Sequence, residues 1–185
     1  MFVDEAYRRV AASSTINHGR FYSPGGEVGL GKGKLYETVA YPFFDLENRI
    51  FQTVEGMVYV LTHECDVDLD NQRIFNEDVL ICPIIPLEHI VEAYREALSR
   101  MQLESFLTNL GARNISRVVY LPPYSGLDYG GVMYLNHITN THISSFSQTT
   151  VTSVCAVTAF GLTQIEYALE NHLLRPKTDR LAFSR

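Results

Sequence analysis

Two apolar, β-rich runs, Met57–Thr62 and Val79–Ile85, flank a polar segment that opens His63, Glu64, Cys65, Asp66. Runs rich in Val, Ile, Leu and Tyr favour the pleated surface of a strand. They predict two strands, with reactive side chains placed where the first one ends. In a small β protein that is a usual place for a site.

The rest of the chain is read around this pair. Val3, Tyr7, Val10 and Ala11 recur at helical spacing, which predicts a short amphipathic helix over 4–12. A glycine-rich loop, Pro24–Lys34, follows it. Tyr36–Phe44 reads as a strand with Pro42 at an edge or bend, and Ile50–Val54 as another, separated from Met57–Thr62 by Glu55-Gly56. After Val79–Ile85 the period changes from 2 to 3.6. Leu87, Ile90, Val91, Tyr94, Leu98 and Met101 line one helical face, with Glu88, Glu92, Arg95, Glu96 and Arg100 opposite. Leu103, Phe106, Leu107 and Leu110 either continue this helix or form a second one, with Gly111 as the stop. Val118–Leu121, Val132–Leu135 and the Thr- and Val-rich Thr149–Phe160 predict further strands. Thr163 and Glu166 match a capping box that would open a final helix limited by Pro176.

Short strands with an inserted helical segment and terminal helices predict an α+β fold built on a small barrel. At 185 residues the chain suits one domain, residues 1–185. Within it, 1–35 is an N-terminal helix and Gly-rich loop, and 36–175 is a barrel with the helical insertion 87–111 and the C-terminal helix. Residues 176–185 read as a tail.

A net charge of −6 argues against a broad nucleic-acid footprint, which draws its affinity from Lys and Arg on phosphates. RNA is therefore a partner that charge does not support, although a local basic groove is not excluded. No apolar run has membrane-spanning length. The three cysteines, Cys65, Cys82 and Cys155, are odd in number and widely spaced. With no signal peptide visible, they read as reduced thiols in a cytoplasmic protein.

Several motifs come close to known chemistry. Gly26–Gly33 nearly spells a phosphate-binding loop, but Gly33 stands where Ser or Thr must hold magnesium, and strand rather than helix is expected next. Asp66, Asp68 and Asp70 begin like a calcium loop without its turn glycine, so an acidic turn is expected. Asp66 can also orient His63 or cap the turn. If the Met57–Thr62 strand persists, Tyr59, Leu61, His63 and Cys65 share one face. His63 would then activate the Cys65 thiolate, the plainer alternative being a half-buried Cys beside a surface His. Two ligands are too few for zinc, and no spacing demands that His137 or His142 complete a site. No cofactor is expected. Cys82 and Cys155 read as core. Tyr120-Leu-Pro-Pro-Tyr124 reads as a strand ending in prolines, with Tyr124 a candidate groove residue.

The order of these segments resembles the toxin ribonucleases of the MazF/PemK type. The residues that carry the resemblance are Met57–Leu61, Asn71, Val79–Ile84, Val132–Ile143 and Leu162–Leu173. The match spans 40–173, interrupted by 87–111. It implies an SH3-like barrel, often homodimeric, in a bacterial toxin–antitoxin or phage-defence setting. The family's catalytic Arg would fall at Gly56, with Met57 for its Pro, and its catalytic Thr at Ile85. Neither residue can stabilise or protonate a scissile phosphate.

Three functions follow as expectations. One is a barrel without the ribonuclease site that binds a protein partner or itself. Another is a thiol hydrolase or transferase using Cys65, His63 and Asp66. The last is an RNA-processing enzyme with a relocated site involving Arg73, His63 or Tyr124.

Overall fold

The computed structural model describes residues 2–23, 29–45, 48–71, 77–124 and 126–174. The strands are β1 (Tyr22–Ser23), β2 (Lys34–Asp45), β3 (Ile50–Val60), β4 (Asp78–Pro86), β5 (Val118–Leu121), β6 (Gly131–Tyr134), β7 (Thr139–His142) and β8 (Thr152–Val157). The helices are α1 (Val3–Ser13), α2 (Glu64–Val67), α3 (Leu87–Ala97), α4 (Arg100–Gly111) and α5 (Ala159–Leu173). The fold is α+β, and no helix among the described residues is long and apolar enough to cross a membrane. The expected tail 176–185 lies outside the described residues.

The strands form one antiparallel sheet in the order β1-β8-β2-β3-β4-β6-β5, with β7 paired to β4 beside β6. This sheet is open, which corrects the expected closed barrel. Its edges are unsuited to a ladder: β1 has two residues, and β5 runs into Pro122-Pro123, which have no N–H to donate. Side chains bridge the gap instead. The Tyr22 hydroxyl donates to the Pro122 carbonyl at 2.8 Å, and its ring meets Tyr124 at 4.8 Å. A second seam lies where β7 returns beside β2 and the Thr141 hydroxyl donates to the Ala40 carbonyl at 2.7 Å.

The apolar runs are continuous because the sheet is buried on both faces. In β3, Met57 and Tyr59 enter the central core while Val58 and Val60 enter an outer one. In β4, Cys82 and Ile84 point to the first and Val79 and Ile81 to the second. At the other end, Val119, Leu121 and Met133 join the central core, while Tyr120 and Val132 pack under the helices. Along Met57–Val60, Ile81–Ile84 and Val119–Leu121 the side chains thus alternate between two apolar environments.

The helical insertion divides in two. Ser99 and Gln102 form a reciprocal capping box that opens α4. The S-x-x-Q signature in the sequence thus marks the break between the two helices. Helix α1 packs with this pair: Ala6 and Val10 share a core with Leu87, Val91 and Leu107. Gly111 permits the approach, since a Cβ there would lie 2.3 Å from the Val10 carbonyl oxygen.

Other boundaries differ from the expectation. β3 is continuous through Glu55-Gly56, with Gly56 opposite Val39. Thr149–Phe160 yields one strand, β8, and α5 begins directly after it. Its cap is Thr158, whose Oγ1 accepts from the Gly161 N–H at 3.1 Å. The expected Thr163–Glu166 box does not form. The Thr163 hydroxyl donates back to Ala159, and Glu166 pairs with Lys32 at 2.6 Å.

Candidate functional site

The His63–Asp66 segment takes a shape that the alternating-strand reading does not allow. β3 ends at Val60, and the following residues are clamped to β4 by Leu61 N–H to the Leu80 carbonyl and Leu80 N–H to Thr62 Oγ1. The backbone then turns into α2. His63 caps this turn, its Nδ1 accepting from the Cys65 backbone N–H at 3.3 Å. The shared face of Tyr59, Leu61, His63 and Cys65 is therefore lost.

This geometry separates His63 from thiol chemistry. The Nδ1 lone pair is taken by backbone, and Nε2 faces the Glu64 carboxylate at 3.8 Å. With Nδ1 accepting, the lone pair of the ring is spent on backbone rather than offered to the Cys65 sulfur. Cys65 is exposed, and its carbonyl accepts from Asn71 Nδ2 at 2.8 Å. Asp66 is exposed and closes the turn through its backbone N–H to the His63 carbonyl.

Glu64 is the braced member of the segment. Its carboxylate lies 3.3 Å from Lys34 Nζ, and its side chain fills the space a Cβ on Gly31 would need. Its burial acts to raise the carboxyl pKa, but the hydrogen bonds from Lys34 and from its own backbone N–H, with the charge of Lys34, hold it below the ordinary value. The Asp68 carboxylate accepts from the Asp70 N–H, which makes the D-x-D-x-D run an Asx turn. Among the described residues no three His, Cys, Asp or Glu converge on a metal site. His142 bonds Ser144, whereas His137 stacks edge-on against Tyr134.

The remaining candidates separate. Tyr124 is half-buried against Tyr22 and pairs its backbone with Leu127, so it braces the sheet seam. Arg73 lies outside the described residues. Cys82 and Cys155 are buried, and burial pushes both thiols up to about 12.

The two positions singled out by the MazF/PemK resemblance lie just past the end of the β3–β4 pairing, which stops at Val58 and Pro83: Gly56 pairs with Val39 of β2 and Ile85 with Val132 of β6. Neither carries a reactive group. Ile85 instead lines a cleft of about 360 Å³ between the α3–α4 pair and the outer face of β4, β5 and β6. Ile90 and Tyr94 from α3, Phe106 from α4, and Val132 and Tyr134 from β6 complete its apolar wall. The Tyr94 and Phe106 rings meet edge-to-face at 5.3 Å.

Arg117 stands in this lining as its charged group, exposed. Its backbone carbonyl is held by the Leu135 N–H, while no hydrogen bond or ion pair engages its guanidinium among the described residues. Arg113 shows the contrast, since Gln164 holds its guanidinium through both its side-chain oxygen and its carbonyl. Sequence reasoning did not find this cleft, because its residues come from separate segments and no motif links them. No family model matches this protein, nor does any curated protein or solved structure.

Proposed function

We propose that this protein is a binding module that captures a protein segment in the Ile85–Arg117 cleft. The observation that carries this reading is an apolar, aromatic-lined cleft with a guanidinium at its side that no other described residue engages. Such a site suits a peptide that inserts a bulky apolar side chain and offers a carboxylate to Arg117. The carboxylate comes from an Asp, a Glu or the free C-terminus of the bound peptide.

The resemblance to MazF/PemK supports an SH3-like barrel ancestry for the curled sheet, and by itself supplies the toxin–antitoxin or phage-defence setting. Gly56 and Ile85 argue against retention of that family's reaction. The use of His63 Nδ1 as a backbone cap argues against a Cys65 hydrolase.

Selection of a random peptide library on the immobilised protein tests the proposal. Enriched peptides should pair a large apolar residue with a nearby carboxylate. Arg117→Glu should weaken them roughly ten- to hundredfold, the loss expected for a charge-assisted hydrogen bond. Absence of enrichment, or enriched peptides indifferent to both Arg117→Glu and Tyr94→Ala, would refute it.

A further inference from the structure

Helix α4 ends in a turn that ordinarily takes glycine. The Arg113 N–H bonds the Leu110 carbonyl at 3.2 Å, and the Asn114 N–H bonds the Asn109 carbonyl at 2.9 Å, the paired bonds of a Schellman motif. Residue 113 therefore adopts the left-handed conformation, with φ 61°. Glycine does so freely, whereas the Cβ of an arginine is strained there. Strain of this kind persists where the surroundings hold the residue, and it gathers at ligand sites.

What holds Arg113 is neutral. Its guanidinium donates to the side-chain oxygen and to the carbonyl of Gln164 on α5. No carboxylate of a described residue lies within ion-pair distance of it, although the chain has 21 acidic side chains against 15 basic ones. The side chain is half-buried, and burial draws its pKa below the ordinary arginine value, with Tyr167 acting the other way. A desolvated cation without a counter-charge is costly, and a bound anion offsets that cost.

Arg113 lines a cleft of about 240 Å³ between the α4–β5 connection and α5. Ile115, Val118 and Ala168 give it apolar walls, and Tyr167, 66% exposed, stands at its side. The Ser116 and Tyr167 hydroxyls, both in the lining, have no hydrogen-bond partner among the described residues. The guanidinium itself has more N–H groups than its two bonds to Gln164 use. An oriented cation, spare donors and an apolar wall thus meet in one place. The volume lies below the ~300–1,000 Å³ of sites for drug-sized molecules, which points to a smaller ligand.

We propose that the Arg113 cleft binds a small organic carboxylate, with its anionic end on the guanidinium and its apolar body against Tyr167, Ile115 and Val118. Gln164 fixes the plane of the guanidinium, and a planar carboxylate meets that plane edge to edge. The apolar walls favour a carboxylate carried on an apolar body over inorganic phosphate. This site is separate from Arg117, although Ile115 and Val118 line both clefts.

NMR titration of the full-length protein with benzoate, benzamide and inorganic phosphate tests the proposal, read at the Arg113 Nε–H and the Ser116 and Asn171 amides. Benzoate should give saturable shifts in the ~millimolar range, while its neutral isostere benzamide should not, and phosphate should bind more weakly. Arg113→Gly should abolish the response with unchanged circular dichroism, because glycine suits the turn. Arg113→Lys, which keeps the charge and loses the planar fork, should weaken benzoate roughly tenfold. Arg117→Gln should leave benzoate binding in place. No saturable response to benzoate, an equal response to benzamide, tighter binding of phosphate, binding that survives Arg113→Gly, or binding lost in Arg117→Gln would overturn the proposal.

Discussion

The seam between β7 and β2 depends on one hydroxyl, so Thr141→Val is a direct test of how the curled sheet is held. Thr141 is 7% exposed. Its Oγ1 donates to the Ala40 carbonyl at 2.7 Å and lies 2.9 Å from Ser145 Oγ. With one proton committed to Ala40, the oxygen accepts from Ser145. Valine keeps the shape and removes both bonds. An unsatisfied buried acceptor costs about 1–3 kcal/mol, and the half-buried position of Ala40 admits some water, so roughly 1–2 kcal/mol is expected. For a protein of this size, each kcal/mol moves Tm by about 2–4 °C, which predicts a fall of about 2–8 °C. Urea denaturation should show a lower midpoint with an unchanged slope. Ser145→Ala should cost less, and the double variant less than the sum, because the two hydroxyls share one network. A Thr141→Val protein as stable as the wild type would refute the seam as a structural element.

Two further outcomes follow from the His63–Asp66 segment and the other thiols. Native iodoacetamide labelling, followed by peptide mass spectrometry, should modify Cys65 well before Cys82 and Cys155, whose thiols burial holds at about 12. Equal labelling of Cys82 would contradict its placement between β3 and β6. Lys34→Met should move the Glu64 carboxyl titration upward in a carboxyl-detected NMR experiment. The sign for stability follows: a depressed carboxyl pKa stabilises the fold above its ordinary value, and that contribution is lost as pH falls through the folded value. A Glu64 titration unchanged by Lys34→Met would show that the ion pair does not hold it.

Local pattern makes much of the architecture legible. Val118–Leu121 is β5 as read, Val79–Ile85 differs from β4 by one residue at each end, and the 3.6 period identifies the insertion. Caps are only half readable. Ser99 and Gln102 form a box, whereas Thr163 matches a box while Thr158 forms the cap. Both threonines satisfy the local chemistry, and the packing of Gly161 against the Phe21 carbonyl accompanies the earlier start. A strand period would place His63 and Cys65 together, but it stops at Val60, where a short helix exchanges a side-chain face for a backbone cap.

Side-chain period and residue chemistry are local properties, so most of the strands and the inserted helices are legible in the chain itself. The remaining features arise from long-range packing. The two seams join residues 101 and 100 positions apart, Thr141 to Ala40 and Tyr22 to Pro122, and so leave no periodic trace. Helix α1 joined the insertion through the missing Cβ of Gly111. The cleft gathers Ile85, Tyr94, Arg117 and Tyr134 from elements that meet only after the sheet has curled, and β3 loses its β4 partner past Pro83, where β4 pairs with β6 instead. Contacts of that range depend on how elements pack against one another, which no window of residues contains.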